Sequence, residues 1–302
     1  MEIRIEDLEK EYKNRFKALK DVNLTITDGM FGLLGPNGAG KSTLMRILVT
    51  LLKPSAGKVY VNGKELSENR KEVRSMLGYL PQDFRFFVKL KTYEFLDYAA
   101  SMAGMTNKKE RLKAVDEMLE SVGLFDVRNR YANKLSGGMK RRLGIAQALI
   151  GDPKIIIVDE PTTGLDPEER IRFRNILSNL SQKEVIIILS THIVGDISST
   201  CNRMALLNEG SVHFEGAPEE FVKLADGHVF RTHVLVDEMK MINERYPVVS
   251  SVPDEMGYEV ELVADKLDGI KNEIITPNLE HAYVYFMEYL TKKEGADIPH
   301  PL

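Results

Sequence analysis

A glycine-rich stretch near the start of the chain has the spacing of a phosphate-binding loop. It matches the pattern G-x-x-x-x-G-K-[ST] at every specified position, through Gly35, Pro36, Asn37, Gly38, Ala39, Gly40, Lys41, Ser42 and Thr43. Glycines let backbone amides approach phosphate oxygens closely, because no β-carbon obstructs the turn. Lys41 supplies a positive charge for the β and γ phosphates, and the Ser42 hydroxyl is placed to ligate Mg²⁺. This loop therefore predicts a site for a nucleotide with Mg²⁺.

A second candidate phosphate-binding segment is Leu135-Ser136-Gly137-Gly138-Met139. Ser136 is a good N-cap for a helix expected from Gly137 to Ile150. Its hydroxyl and the free amides behind it, at Gly137 and Gly138, can form an anion site. Since one nucleotide does not need two such cradles from one fold, we expect the chain to work as a pair. Each copy would lend this segment to nucleotide held by the other.

Two adjacent carboxylates follow an apolar strand expected from Ile155 to Val158. Asp159 would support Mg²⁺, and Glu160 can be offered to a water molecule in line with the γ-phosphate. His192 follows the next apolar strand, at the carboxyl end where α/β sheets place their ligands. We interpret His192 as a γ-phosphate contact, the alternative being a structural histidine. The expected catalytic residues are Lys41, Glu160 and His192.

The elements expected around these residues alternate in the order of an α/β fold. Phe31 to Leu34 is predicted as a buried strand that leads into the glycine loop, and Lys41 to Leu52 as the following helix. Strands at Ile155 to Val158 and Val185 to Leu189 flank a helix from Pro167 to about Leu180. This order predicts a mainly parallel sheet.

Three further units are expected around this core. Alternating apolar residues before the glycine loop, such as Ile3 and Ile5, predict an N-terminal antiparallel β-subdomain. Residues from about 83 to 150 have helical spacing and predict an inserted helical subdomain. The composition changes near Gly216, so residues 1–220 are expected to form one domain and residues 221–302 a small C-terminal α/β domain.

The last expected helix has Thr276 as its N-cap and Pro277 at its first position. Its apolar stripe has amphipathic spacing and consists of Leu279, Ala282, Tyr283, Phe286, Met287 and Leu290. The stripe either seals the core of the small domain or contacts a partner chain.

Composition argues against several classes of protein. The formal net charge of −4 does not suggest general nucleic-acid binding. Every apolar run is far shorter than the ~20 residues of a membrane helix. The charged first residues lack the apolar region of a secretory signal, so the chain is expected in the cytoplasm. Cys201, the single cysteine, excludes an intrachain disulfide and is interpreted as a small half-buried apolar side chain.

The ordered set of motifs resembles the nucleotide-binding subunits of ATP-binding cassette (ABC) transporters over about residues 1 to 220. The set consists of the P-loop, Gln82 after Gly78-Tyr79-Leu80-Pro81, the Ser136 segment, Asp159-Glu160, Gly164-Leu165-Asp166 and His192. Many NTPases share a P-loop, but the whole set in this order is highly specific. The resemblance implies a P-loop NTPase core, ATP hydrolysis with Mg²⁺, a homodimer or heterodimer of cassettes, and an integral membrane permease as partner.

The resemblance also implies roles for particular residues. Tyr12 matches the aromatic that stacks on adenine, with Phe16 as the alternative. Gln82 matches the glutamine that meets Mg²⁺ and the attacking water while its loop faces the membrane subunit. Asp166 matches the aspartate that crosses the dimer interface. Met139 departs from the glutamine commonest at its position, which puts little in doubt.

The segment from Ser136 to Gly138 resembles the signature that closes over the γ-phosphate of the partner's ATP. Three basic residues, Lys140, Arg141 and Arg142, follow it on the same expected helix. We interpret them as a solvated helix face; the alternative is that they add a favourable field near phosphate.

Within this family, several features resemble drug, antibiotic and ABC-2-type export ATPases. They are the run from Leu33 to Thr43, the methionine variant of the signature, and the segment from Pro277 to Tyr283. An exporter subunit is therefore expected, held at the inner face of the cell membrane by its permease, with an importer ATPase as an alternative.

Two other functions are weighed against this one. A soluble cassette ATPase acting on ribosomes or DNA would usually carry two cassettes or long coiled coils, and this chain has one uninterrupted cassette without a heptad run. A regulatory cassette with little ATPase activity conflicts with the presence of all four residues expected to act in hydrolysis, Lys41, Asp159, Glu160 and His192.

Overall fold

The computed structural model describes residues 1–84, 89–181, 184–267 and 269–291. The chain folds into two compact units, Met1–Glu215 and Gly216–Leu302, whereas the sequence suggests a boundary at 220. Among the described residues, no helix combines the length and apolar character that crossing a membrane requires.

The first unit contains two sheets and the helices that connect their strands. Its strands are β1 (Glu2–Glu11), β2 (Lys17–Thr27), β3 (Gly29–Leu34), β4 (Ala56–Val61), β5 (Lys64–Glu65), β6 (Leu77–Leu80), β7 (Ile155–Asp159), β8 (Ile186–Thr191), β9 (Arg203–Asn208) and β10 (Ser211–Gly216). Its helices are α1 (Lys41–Leu48), α2 (Arg70–Ser75), α3 (Thr92–Met102), α4 (Lys108–Ser121), α5 (Gly137–Leu149), α6 (Pro167–Ser181) and α7 (Val194–Thr200).

The sheet near the N-terminus is antiparallel, with strand order β2-β1-β4-β5. Ile3 lies opposite Ile26 on one side and Val61 on the other, and all three side chains are buried. Alternate residues of β1 therefore face the core, as period-2 spacing predicts. The expected antiparallel β-subdomain is confirmed.

The central sheet has strand order β10-β9-β3-β8-β7-β6, and the pairs that join β9, β3, β8, β7 and β6 are all parallel. Every residue of β7 and β8 is buried, as in strands covered on both faces. The register places Leu34 opposite Thr191 and Asp159 opposite Ser190. The carboxyl ends of β3, β7 and β8 therefore meet at one edge, and the predicted parallel sheet is confirmed.

Helix α1 is shorter than predicted. It ends at Leu48, whereas the apolar pattern suggested Leu52. Thr50 has a φ of 62°, in the left-handed region, which helical residues do not adopt. Between residues 89 and 150, α3, α4 and α5 form the expected helical subdomain, with Val115 and Leu119 fully buried. Residues 85–88, part of that prediction, lie outside the described residues.

The second unit contains an antiparallel sheet, with strand order β12-β13-β11-β14. Its strands are β11 (Val229–Leu235), β12 (Val248–Pro253), β13 (Gly257–Val263) and β14 (Glu273–Ile274). Its helices are α8 (Pro218–Val222), α9 (Met239–Arg245) and α10 (Leu279–Tyr285), which continues as a π-helical turn, Phe286–Leu290. Phe230, Ile242 and Leu262 belong to its apolar core, so this unit is the expected small α/β fold.

The predicted N-cap of α10 is wrong. Asn278 caps the helix, since its side-chain oxygen accepts a hydrogen bond from the His281 amide at 2.9 Å, and Pro277 lies before the cap. In the apolar stripe, Leu279 and Ala282 are buried, and the ring of Phe286 lies 5.5 Å from that of Phe221. These contacts favour the interpretation that the stripe seals the core of its own unit.

Candidate active site

The glycine-rich loop connects β3 to α1 and is shaped by close backbone contacts. A methyl group at Gly35 would lie 2.1 Å from the carbonyl oxygen of Leu207. Gly40 has a φ of 107°, and a methyl group there would lie 2.5 Å from the Ala18 carbonyl oxygen. Helix α1 begins directly afterwards, so its first amides point into the loop without helical partners. The result is a concave anion site at a helix N-terminus.

Lys41 is buried at the base of this loop, with 4% of its surface exposed. Its ammonium donates to the carbonyl oxygens of Gly35 at 2.7 Å and Pro36 at 3.0 Å, and it lies 3.5 Å from Glu160 Oε1. Burial lowers the pKa of Lys41, while the carboxylates of Glu160 and Asp159 oppose that shift. The loop therefore holds a cation beside a carboxylate where phosphate oxygens would bind.

Asp159 ends β7 beside the hydroxyl of the first turn of α1. Ser42 Oγ donates to Asp159 Oδ1 at 3.4 Å, and Ser190 Oγ donates to the same oxygen at 2.5 Å. No set of three or more His, Cys, Asp or Glu side chains among the described residues is arranged to hold a metal. Mg²⁺ commonly binds through one or two carboxylates together with substrate phosphates, so a Ser42 and Asp159 donor pair fits Mg²⁺ that arrives with a nucleotide.

Glu160 occupies the centre of the site in a strained conformation. Its φ is 45°, in the left-handed region, which costs about 1–3 kcal/mol in a residue other than glycine. The side-chain amide nitrogen of Gln82 donates to Glu160 Oε2 at 3.0 Å. The Nδ1 atom of His192 lies 3.3 Å from Glu160 Oε1. The two atoms are not hydrogen-bonded, and Nδ1 has no hydrogen-bond partner among the described residues. Glu160 thus brings together Lys41, Gln82 and His192.

Tyr12 lies beside the glycine-rich loop. Its hydroxyl is 3.3 Å from Thr43 Oγ1, and Lys10 Nζ stands 5.6 Å from its ring centre. The Tyr12 amide also donates to the Phe16 carbonyl at 2.9 Å, which places both aromatics in one turn. Phe16 is 54% exposed and Tyr12 is half-buried, which favours Tyr12 as the residue adjacent to bound base.

The Ser136 segment forms a separate anion site at the start of α5. Ser136 Oγ accepts a hydrogen bond from the Met139 amide at 3.2 Å, so Ser136 is the N-cap predicted from the sequence. Ser136 and Gly137 are both exposed. A methyl group built at Gly137 would meet no atom within 4 Å. Ser136 and Gly137 are therefore accessible at the start of this helix.

Gly138 packs against an ion pair. A methyl group there would lie 2.6 Å from the carboxyl carbon of Glu169. Arg142 holds that carboxylate through Nε at 3.0 Å and Nη2 at 3.2 Å, and Nη1 donates to the carbonyl oxygens of Val122 and Gly123. The interpretation of Arg142 as part of a solvated helix face is wrong, because the residue is buried and all three guanidinium nitrogens donate hydrogen bonds within the chain.

The same interpretation is wrong for Arg141. Its guanidinium donates to the carbonyl oxygens of Pro161 at 2.7 Å, Gln82 at 2.8 Å and Glu160. Burial lowers the pKa of Arg141. The sequence did not show these contacts because they depend on loops that only the sheet brings together. Lys140, its neighbour, is half-buried.

Asp166 is exposed and directly precedes α6. Its Oδ1 accepts a hydrogen bond from the Glu169 amide at 2.9 Å. Asp196 is a buried residue that sequence reasoning missed: it accepts hydrogen bonds from Thr162 Oγ1 and, at 3.4 Å, from Thr191 Oγ1. It thereby joins the loop after Glu160 to the last residue of β8, which precedes His192. No motif marks it, since a lone acid in a short helix has no distinctive spacing.

Comparison with known proteins agrees with this geometry. The family model described as "ABC transporter" matches residues 19–163. YxlF of Bacillus subtilis, named as an uncharacterized ABC transporter ATP-binding protein, is 34% identical over 249 residues, which cover 82% of this chain and 81% of YxlF. YbhF of Escherichia coli, named as a probable multidrug ABC transporter ATP-binding protein, is 32% identical over 93% of this chain. The aligned region is 51% of the length of YbhF.

A solved structure shows the same fold in a pair. The dimeric bacterial ABC transporter cassette MJ0796 superposes with a TM-score of 0.66 at 28% identity, covering 71% of this chain and 98% of that one. A second structure of that cassette is a post-hydrolysis state bound to ADP and Pi. The site geometry, the family match and these likenesses lead to one conclusion: this chain belongs to the ATP-binding subunits of ABC transporters and is an ABC-type ATPase.

Proposed function

We propose that this chain is the energy-coupling subunit of a membrane exporter and that two copies close over ATP in composite sites. The observation that carries the proposal is that one cassette presents two sets of anion-binding groups, on different helices. Lys41, Gln82, Glu160 and His192 gather at the P-loop, whereas the Ser136 hydroxyl and the Gly137 amide lie exposed at the start of α5. A second chain can bring the missing half to each P-loop.

In this proposal Glu160 is the general base. Its carboxylate would take a proton from the water that attacks the γ-phosphate, a role that contributes typically ~10²–10⁴ in rate. Gln82 holds Glu160 Oε2, and His192 stands beside Oε1, where it can contact the γ-phosphate. Lys41 places its charge on the β and γ phosphates.

Ser42, Asp159 and Gln82 are the residues proposed to hold Mg²⁺, which when bound would neutralise charge on the phosphates. Tyr12 is proposed to stack on adenine, and P-loop residues Gly35 to Thr43 to bind the phosphates. Asp166 is proposed to lie at the dimer interface, consistent with its exposure at the start of α6.

Export is supported by the resemblance of the glycine loop, the signature and the Pro277 segment to export ATPases, and by the similarity to YbhF, a probable multidrug ABC transporter ATP-binding protein. Relatives of similar identity include both a lipopolysaccharide export protein, LptB, and an arginine transport protein, ArtM. The proposed location is the inner face of the cell membrane, through a permease.

Capture from native membranes tests this function. The tagged chain, solubilised in mild detergent, is expected to copurify an integral membrane protein identified by mass spectrometry. In everted vesicles, where the cassette faces outward, ATP is expected to drive accumulation of a fluorescent drug, the class of substrate that the name of YbhF gives. Capture of ribosomes or DNA in place of a membrane protein would contradict the proposal, and ATP-driven release of preloaded drug would contradict export.

Alanine substitutions at Gly137 and Gly138 are expected to distinguish the roles of these two glycines. Gly137→Ala adds a methyl group in open space, so the fold and ATP binding by the monomer are expected to remain unchanged. Turnover is expected to fall about tenfold or more, because the methyl group obstructs an amide offered to the partner's phosphate. ATPase assays and thermal unfolding of both variants provide the measurement.

Gly138→Ala is the matched comparison. Its methyl group meets the Glu169 carboxylate held by Arg142, and overpacking of this kind costs about 1–3 kcal/mol of the free energy of unfolding. The melting temperature of this variant is expected to fall, unlike that of Gly137→Ala. Equal destabilisation by both changes, or full activity of Gly137→Ala, would contradict the assignment of Gly137 to the partner's site.

A further inference from the structure

Arg141 makes all of its described hydrogen bonds to main-chain carbonyl groups. Nε donates to Pro161 O at 2.7 Å, Nη1 to Gln82 O at 2.8 Å, and Nη2 to Glu160 O. Longer contacts at 3.4 Å reach the carbonyl oxygens of Pro81 and Asp159. The planar guanidinium, with its rigid fork of donors, thus spans two separate chain segments.

These carbonyl groups belong to residues that act in hydrolysis. Gln82 is held at both ends, since its carbonyl accepts from Arg141 and its side chain donates to Glu160 Oε2. Glu160 has the positive φ of 45°, and its amide donates to Ser190. A strained backbone persists only where its surroundings fix it. The carbonyl oxygen of Glu160 accepts a hydrogen bond from Arg141 Nη2.

The hydrogen bonds of Arg141 matter because of the helix, α5, on which this residue lies. Arg141 lies in the second turn of α5, whose first turn presents Ser136 and Gly137. One short stretch of helix therefore carries the surface that is proposed to meet the partner's nucleotide. The same stretch carries the hydrogen bonds to Glu160, the general base proposed to act on the chain's own nucleotide. A displacement of α5 would move the Gln82 and Glu160 main chains with it.

We propose that Arg141 is a positioning residue for hydrolysis, which fixes the main chains of Gln82 and Glu160 to helix α5 and so links the chain's own site to the site it completes on its partner. The inference rests on the proposed function, because it takes Glu160 as the base and Ser136 as part of the opposite site. Arg141 acts through geometry, since its described donors all serve carbonyl groups at defined positions.

The test compares Arg141→Lys and Arg141→Met with the parent chain. Methionine donates no hydrogen bond, and the three donors of lysine all leave from one nitrogen atom, so neither residue reproduces the fork that spans the three carbonyl groups. We therefore expect kcat to fall about tenfold or more in both variants, since small misplacement of reacting groups is costly. The KM for ATP is expected to stay within about twofold, because Arg141 does not touch the P-loop. Arg4→Met, which removes an exposed guanidinium paired with Glu6, is the control and should keep the parent kcat.

Two further readouts separate positioning from general loss of structure. Amide hydrogen exchange in peptides covering residues 77–84 is expected to quicken in both Arg141 variants while β7 keeps its protection. In a Glu160→Gln background, Arg141→Met is expected to cause a much smaller loss of hydrolysis than in the parent chain, because one of the two residues that it positions is already disabled.

The inference is overturned if Arg141→Met keeps the parent kcat and exchange rates, or if Arg141→Lys restores both, since the role would then be charge alone. Additive losses in the double variant would also overturn it. Failure of the proposed function has a different result: Glu160→Gln alone would then hydrolyse ATP at the parent rate, whatever the Arg141 variants do.

Discussion

Glu160→Gln is expected to lower ATP hydrolysis by about 10²–10⁴ while ATP binding persists. The amide keeps the size of the side chain and can still meet Gln82 and Lys41, but it cannot accept a proton from water. The P-loop contacts of Lys41 with Gly35 and Pro36 remain, so nucleotide should still load. A chain that binds ATP without hydrolysing it should accumulate as a closed dimer, visible by size-exclusion chromatography with ATP.

Glu209→Gln is the matched control for this change. Glu209 also has a left-handed backbone, with a φ of 47°, but its side chain is exposed and lies outside the proposed site. Any effect of placing glutamine at a positive φ is therefore reproduced there. We expect parent activity and no ATP-dependent dimer accumulation from Glu209→Gln. Hydrolysis at the parent rate in Glu160→Gln would remove the general-base assignment.

The central fold could be predicted because its signals are local. Continuous apolar runs such as Ile155 to Val158 mark strands buried on both faces, and the glycine loop between β3 and α1 has a fixed spacing. Parallel order then brings the residues after β7 and β8 to one edge. Asp159 and Glu160, at the end of β7, and His192, directly after β8, therefore lie at this edge of the sheet.

Element ends were harder to predict because they depend on single backbone conformations. Helix α1 stops early where Thr50 turns left-handed, and α10 starts after Asn278 because that side chain binds the His281 amide. Thr276 and Pro277 carry a helix-start signal of equal strength in the sequence. Only the structure shows which of two good caps is used.

The supporting residues of the site could not be predicted because their partners are distant in sequence and mostly main chain. Arg141 binds carbonyl groups 19 and 59 residues away, at Glu160 and Gln82. Asp196 joins two threonine hydroxyls, one from the loop after β7 and one from the end of β8. A basic run on a helix is normally a solvated face, so its composition gives no sign that two of its members are enclosed.

Ser136→Glu is expected to lower turnover about a hundredfold or more without weakening ATP binding by the isolated monomer. Losing one donor to a developing anion costs about 10²–10³ in rate, and an added carboxylate would also repel the partner's γ-phosphate. The helix should tolerate the change, since a negative charge is favourable at a helix N-terminus and Ser136 is exposed. Ser251→Glu, at an exposed residue of β12, is the control and should leave turnover unchanged.

Mixing two inactive chains decides whether Ser136 serves its own site or the opposite one. Lys41→Met disables the P-loop of a chain, and Ser136→Glu disables the segment it lends. If Ser136 acts across the dimer, a mixed dimer confines both lesions to one composite site and leaves the other intact, so ATPase activity should reappear on mixing. If Ser136 acted on its own nucleotide, each site of the mixed dimer would carry one lesion and the mixture would stay inactive. Weakened ATP binding by monomeric Ser136→Glu would point to the same failure, because the monomer holds nucleotide with its P-loop alone.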